Sequence, residues 1–402
     1  MELKIVDAGC GIGKTTSMIN KINNDFSVQR YFYVTPFLDE VKRIKELCHR
    51  EFVEPEYINQ KTKLNNLETL IHQDKDIVIT HSLFLNMTRQ TIRLLREKKY
   101  ILIIDESIKF MDEIHIASGD IEYLTKDCIS INKENNRVSW LRPEYEGVFN
   151  ELKNTIENKD VYLFHNQKKS KVLFWTLPYE IFFAFKEVYL LTYMFDKQLL
   201  KKYLQRGGFS FKYLYVKDFQ LTEQKQIYDY SDNKNKIDVC LDEKLNQVGE
   251  DRYALSISWF QKKENQKNLK QIKNNMLNYI IHKTNTKTNQ VIWTTFLNVK
   301  DKLKGKGYTK GFYPINIRGV NDLKDKDVVM YIANRFINPL NKNFLASIGI
   351  LCSQEDDDNF ALSELIQFVY RSAIRDDKEI KLYIPSKRMR DLFTTWQKKP
   401  ND

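Results

Sequence analysis

The sequence predicts an α/β protein with parallel sheets, and three observations carry that reading. Short apolar runs recur between helical stretches in both halves of the chain. A glycine-rich loop ending in Gly-Lys-Thr follows the first run, and an acidic pair ends the fourth. The runs are apolar almost throughout instead of alternating, as expected of strands buried on both faces, and such strands need helical crossovers between them.

Taken in order, ELKIVDA at the start of the chain reads as a strand that runs into the glycine loop and then the helical pattern TTSMINKINN. RYFYVT (30–35) is a second strand, followed by Pro36 and a helix to about Cys48. DIVIT (76–80), KYILIIDE (99–106) and VYLLTY (188–193) complete the first series. Each run ends in polar residues, at the edge where open α/β sheets hold ligands. The stretch from about 110 to 170 interrupts the rhythm. Within it, CISINKENNRVSWL alternates on either side of an Asn-rich turn and reads as a hairpin.

Residues 206–250 are polar and glycine-bearing and read as a linker between a first domain, 1–205, and a second, 251–402. The second series begins with RYALSIS (252–258) as a strand and a helix over 261–282, with Leu269, Ile272, Met276 and Ile280 on one face. VIWTTF (291–296), FYPIN (312–316), DVVMYIA (327–333), the apolar run LASIGIL (345–351), a helix over about 359–375 and EIKLYIP (379–385) follow.

Composition excludes several classes. The chain has 402 residues, of which 42% are hydrophobic and 29% charged, which suits folded domains and not a disordered chain. The most apolar stretch, 175–195, contains Pro178, Glu180, Lys186 and Glu187, so it reads as buried helix and strand and not as a membrane span. No signal peptide is expected at MELKIVDAGC. Five scattered cysteines without CxxC spacing imply a reducing compartment, so the expected location is cytoplasmic, in a host cell if the protein is viral. The net charge of +11 favours phosphate-rich partners.

The loop AGCGIGKTT fits the [AG]xxxxGK[ST] pattern between a strand and a helix. Gly9, Gly11 and Gly13 let backbone N–H groups curl around a phosphate, Thr16 extends the cradle into the helix, and the helix N-terminus adds its dipole. Lys14 reaches the β- and γ-phosphates, and the Thr15 hydroxyl suits Mg²⁺, which needs hard oxygen donors. Asp105 and Glu106 end a buried-type strand. There Asp105 would hold the metal and Glu106 would polarise an attacking water as general base.

Together these residues resemble superfamily 2 helicases, the DEAD-box-like motor ATPases, of the kind carried by phages and mobile elements. Ala8–Thr15 resembles their motif I, and Asp105-Glu106-Ser107-Ile108 their motif II. Thr35-Pro36 resembles motif Ia, Thr80-His81-Ser82 the motif Ib region, and Leu191-Thr192-Tyr193 stands in the place of motif III, with Tyr193 departing from it. In the second half Gln367, Arg371 and Arg375, spaced i, i+4, i+8 on an expected helix face, resemble motif VI, although the last arginine comes one residue late. Residues 347–349 stand where motif V would.

The resemblance implies two RecA-like P-loop domains with parallel sheets, the first carrying a β-hairpin-containing insertion. It implies ATP and Mg²⁺ between the domains, arginine fingers from Arg371 or Arg375 beside Gln367, and coupling through Thr192. It also implies strand contacts through Thr35, Pro36, Thr80, His81, Thr294 and Arg318. The partner would be single- or double-stranded nucleic acid, with DNA favoured and replication or recombination proteins alongside. Two alternatives keep the nucleotide site: a DNA-packaging terminase ATPase, and an ATP-dependent DNA-binding loader or switch that does not unwind. A small-molecule kinase fits the second half poorly.

Overall fold

The structure is a computed structural model, and it describes residues 1–9, 11–57, 62–165, 170–226, 231–315 and 323–398. The chain divides into two compact units. Unit 1 holds 1–225 and 338–352, and unit 2 holds 226–337 and 353–402.

Unit 1 is built on an eight-stranded sheet with a smaller sheet and a hairpin appended. Its strands in chain order are β1 (Glu2–Asp7), β2 (Tyr31–Thr35), β3 (Phe52–Val53), β4 (Asp76–Thr80) and β5 (Ile101–Asp105). Then come β6 (Met111–Ile114), β7 (Ile129–Ile131), β8 (Val138–Trp140), β9 (Asp160–His165) and β10 (Lys171–Thr176). β11 (Glu187–Thr192), β12 (Ser210–Lys217) and β13 (Gln220–Thr222) complete the unit. The main sheet runs β13-β12-β1-β11-β5-β2-β4-β3, and every pair is parallel except β12–β13.

Register fixes what shares the sheet's C-terminal edge. Asp7 pairs with Thr192, Leu191 with Asp105, Val34 with Ile104 and Thr35 with Thr80. The central strands β2 and β5 are buried at every position, as a sheet covered on both faces requires.

The interruption at 110–170 is a subdomain of its own. β6, β10 and β9 form an antiparallel sheet, and β7–β8 is the hairpin expected around the Asn-rich turn. Ile121, Leu124, Leu152, Ile156, Val161 and Leu173 give it a separate core.

Two expectations for the domain boundaries are corrected. Residues 206–250 are not a linker: β12 pairs with β1 from Glu2↔Ser210 onward, and β13 closes that edge. β12, one strand in from the sheet's edge, is only half buried, and its mixed polarity hid it. The second domain is not continuous either. The apolar run 345–351, expected in the second domain, belongs to unit 1, entered through the helix Pro339–Ser347, which is capped by Asn338 with Pro339 in its first turn. There the Phe344 ring stacks on Phe174 at 4.2 Å and 6°, wholly buried. Phe344→Ala should therefore lower stability by about 3–5 kcal/mol, measured as a shift in the denaturation midpoint. A loss below about 1 kcal/mol would show that this segment does not belong to the core of unit 1.

Unit 2 holds a four-stranded parallel sheet, β14 (Ile237–Val239), β15 (Val291–Thr294), β16 (Val328–Tyr331) and β17 (Ile380–Tyr383), in the order β14-β17-β16-β15. RYALSIS is not a strand. Ser256 caps a short helix, Ile257–Gln261, and the backbone before it is held by the Asn334 side chain, which donates to Arg252 O and Ala254 O. The helix expected over 261–282 is Asn268–Tyr279 with a π-turn after it. Residues 312–315 form no strand, only an isolated bridge from Phe312 to Trp293, and Asn316 lies outside the described residues.

The helix expected over 359–375 is Gln354–Val369. It ends early because Ser372 donates both N–H and hydroxyl to Val369 O, and Ala373 N then bonds Lys326 O. Gln367, Arg371 and Arg375 therefore do not share a helix face: Gln367 is helical, Arg371 lies past the end, and Arg375 is exposed in the 3₁₀ turn Ala373–Asp376. Three acids of the run 355–358 are structural. Asp356 forms a capping box with Ser353, Asp357 accepts from Ile337 N, and Asp358 pairs with Arg388. Among the described residues no helix is long and apolar enough to cross a membrane.

Candidate nucleotide site

The site is assembled at the C-terminal edge of the main sheet in unit 1, where β1, β11 and β5 end side by side. β1 gives way to the loop at Ala8, whose N–H donates to Thr192 O at 3.2 Å and so ties the loop to β11. Gly11 and Gly13 adopt φ of 87° and 92°, the left-handed region that glycine enters without strain. Gly13 then serves as N-cap of the first helix, Lys14–Asn23, and its carbonyl accepts from the N–H and the hydroxyl of Ser17. The helix opens with no acidic residue in its first turn, so its dipole faces the loop uncompensated. Cys10 lies outside the described residues.

Lys14 lies back along the loop, and its ammonium donates to Ala8 O at 2.6 Å and Gly9 O at 2.9 Å. The Thr15 hydroxyl donates to Asp105 Oδ2 at 2.8 Å, bringing together the two residues expected to share a metal. Tyr33, on the neighbouring strand β2, donates its buried hydroxyl to the same oxygen at 3.0 Å. Burial, with the Glu106 carboxylate next along the chain, pushes the Asp105 carboxyl up to about 6. Thr16 accepts from Arg43 at 3.5 Å.

The residues that follow β5 and β11 are cross-linked. Glu106 is exposed with φ 68°, and its N–H donates to Leu191 O at 2.9 Å. His81 Nε2 lies 2.8 Å from Asp105 O. A carbonyl can only accept, so this nitrogen carries the proton. Gln198 donates to Thr192 Oγ1 at 2.8 Å and Tyr193 O at 2.9 Å, and accepts from Ser107 Oγ at 3.0 Å. Asp7, raised by burial, accepts from the N–H groups of Met194 and Phe195 at 2.8 Å each.

The expected residues therefore fall into three groups. Gly9, Gly11, Gly13, Lys14, Thr15, Thr16, Asp105, Glu106 and Thr192 share one neighbourhood. Thr35, Thr80 and His81 end the adjacent strands of the same edge. Thr35 is fully buried, Pro36 half-buried, and Thr80 caps the helix His81–Leu85 by accepting from Leu83 N. Thr294, Gln367, Arg371 and Arg375 belong to unit 2, where Thr294 is fully buried at the end of β15. Arg318 lies outside the described residues. Sequence reasoning missed Tyr33, Gln198 and Asp7. Tyr33 had a signal, being an aromatic hydroxyl one strand from Asp105, while nothing in the order of residues marks Gln198.

The donor set fits Mg²⁺ held jointly with a nucleotide. Two hard oxygens, Thr15 Oγ1 and Asp105 Oδ2, converge, and the described residues offer no cluster of three His, Cys, Asp or Glu side chains for a metal bound by protein alone. Mg²⁺ typically takes one or two protein oxygens and completes its shell with phosphate and water.

Comparison with known proteins places the chain. The DNA-bound structure of the DUF1998 helicase MrfA aligns over 100% of this chain and 47% of its own, so the chain spans about half of that protein, at 12% identity and a TM-score of 0.31. That score is too low to assign a shared fold. Residues 231–397 match the YonV C-terminal Rossmann-like domain, which agrees with the parallel sheet of unit 2, and residues 111–175 match the YonV middle domain, the subdomain of β6–β10. Over 98% of both sequences the chain is 38% identical to the SPbeta prophage-derived uncharacterized protein YonV of Bacillus subtilis (strain 168). The chain belongs to the YonV family.

Proposed function

We propose that this protein is an ATP-dependent nucleic-acid motor that hydrolyses ATP at the loop following β1. The observation that carries the reading is the convergence of Lys14, Thr15 and Asp105 on one loop, with Glu106 exposed beside them. Lys14 is held to two loop carbonyls, and a phosphate taking their place would receive the ammonium. Thr15 and Asp105 would hold Mg²⁺, which neutralises charge on the phosphate oxygens when bound. Glu106 would take the proton of the attacking water.

The tie from Ala8 N to Thr192 O, and from Thr192 through Gln198 to Ser107, joins the loop to the residue following Glu106. Such a connection suits a site whose state must be transmitted along the sheet edge. The net charge of +11 suits a polyanionic track. A role in DNA replication or recombination, and helicase activity as such, belong to this proposal.

The test is phosphate release from ATP and Mg²⁺, with and without single-stranded DNA or RNA. Stimulation of at least about tenfold by nucleic acid is expected of a motor whose track is part of its cycle. Hydrolysis indifferent to both polymers would sink the motor reading. ATP bound without turnover would favour a loader or switch.

A further inference from the structure

A hairpin tip stands against the phosphate loop on the side away from Asp105, and it carries an aromatic ring. β12 and β13 are joined by the two residues Asp218 and Phe219, flanked by the pair Lys217↔Gln220. Both adopt left-handed backbone, at φ 49° and 56°. A two-residue turn of this kind favours Asn-Gly or Asp-Gly, because its second position should be free of a side chain. Phenylalanine there is strained, and strain of this sort concentrates at functional positions.

The ring is placed firmly. A Cβ built on Gly13 would meet Phe219 Cδ1 at 2.7 Å and Cε1 at 2.8 Å, so the ring edge lies directly on the glycine that precedes Lys14. Asn20, in the second turn of the helix Lys14–Asn23, donates its side-chain amide to Phe219 O at 3.0 Å and pins the turn to that helix. Yet 54% of Phe219 remains exposed, which a residue recruited only to fill space beside Gly13 would not need.

Sheet order sets a direction. Asp105 ends β5, two strands from β1 on one side, while the Phe219 hairpin extends β12, the neighbour of β1 on the other. A nucleotide whose phosphates lie on the loop, with its metal end towards Asp105, therefore has its base directed towards Phe219. We propose that Phe219 is the stacking platform for the nucleobase of the bound nucleoside triphosphate. This rests on the reading of the loop as a phosphate site. The ring supplies a π-face that any base can use, so it adds affinity without choosing the base by hydrogen bonding.

The experiment is titration calorimetry of the full chain with ATP and, separately, inorganic tripolyphosphate, both with Mg²⁺. Phe219→Ala is expected to weaken ATP by roughly tenfold or more and to leave tripolyphosphate within about twofold of the unsubstituted protein. Phe219→Trp should retain ATP affinity, and its added indole fluorescence should be quenched by ATP and not by tripolyphosphate. Unchanged ATP affinity in Phe219→Ala would overturn the platform while leaving the phosphate loop standing. Equal weakening of both ligands would overturn it too, by showing that the ring only props Gly13. If the unsubstituted protein binds neither ligand, the loop reading fails and the platform with it.

Discussion

Glu106→Gln is expected to cut the rate of ATP hydrolysis by about 10²–10⁴-fold while ATP binding persists, the signature of a lost general base. Three features support so specific a loss. Glu106 directly follows the candidate metal ligand, it is exposed, and its left-handed backbone at φ 68° is strained for a residue with a side chain. Its N–H bond to Leu191 O keeps the backbone in place whichever side chain is present, so the substitution should not disturb the edge. The charge change has a second consequence. Glu106 is one of the groups that raise Asp105, so the neutral amide should let Asp105 ionise more readily and hold Mg²⁺ at least as well as before. Steady-state phosphate release paired with ATP affinity checks both parts. Turnover within about threefold of the unsubstituted protein would remove Glu106 as the base, since even a modest base contributes far more.

How much of this was legible depended on whether the signal was local. Strands β1, β2, β4, β5 and β11 could be read because each centres on a short local cluster of apolar residues between helical stretches, and the loop at 8–16 because glycine and Lys-Thr spacing are set by the backbone path around a phosphate. The β7–β8 hairpin was legible for the same reason, its turn and alternation lying within one short stretch. Other features rest on distant partners. β12 is half exposed and declares itself only by pairing with β1, about two hundred residues earlier. The apolar run 345–351 reads as part of the second series, whereas Phe344, Leu345 and Ile350 serve the core of unit 1. Arg371 and Arg375 have helical spacing, but Ser372 turns back to Val369 and ends the helix first. Gln198 is invisible for a related reason. Its two hydrogen-bonding ends reach residues beyond different strands, and only the sheet order makes them neighbours.

Asp105→Asn should abolish turnover and at the same time stabilise the metal-free protein, and the pairing of those effects is the sharper test of the site. Asp105 is almost wholly buried, and its carboxyl is raised from 3.8 to about 6 in the fold. A raised carboxyl means that the folded state holds its proton more tightly than the unfolded chain does. Stability from this group is therefore greatest below about pH 4, falls as pH rises through the window between 3.8 and about 6, and stays at its lowest above it. The shift corresponds to a penalty on the order of 3 kcal/mol at neutral pH, carried by the ionised carboxylate. Thr15 and Tyr33 both donate to Oδ2. An asparagine with its carbonyl oxygen in that place keeps both bonds and loses only the buried charge. Asp105→Asn is thus expected to gain about 1–3 kcal/mol at pH 8, with the gain vanishing near pH 4. The carbonyl oxygen left in the place of Oδ2 is neutral and a much weaker ligand for Mg²⁺ than a carboxylate, so hydrolysis should fall by at least about a hundredfold. Thermal melts across pH and a turnover assay decide the matter together. A destabilised Asn variant would show that Asp105 serves the fold, whereas a stabilised and inactive one would show a carboxylate kept buried at a cost to stability because the metal requires it.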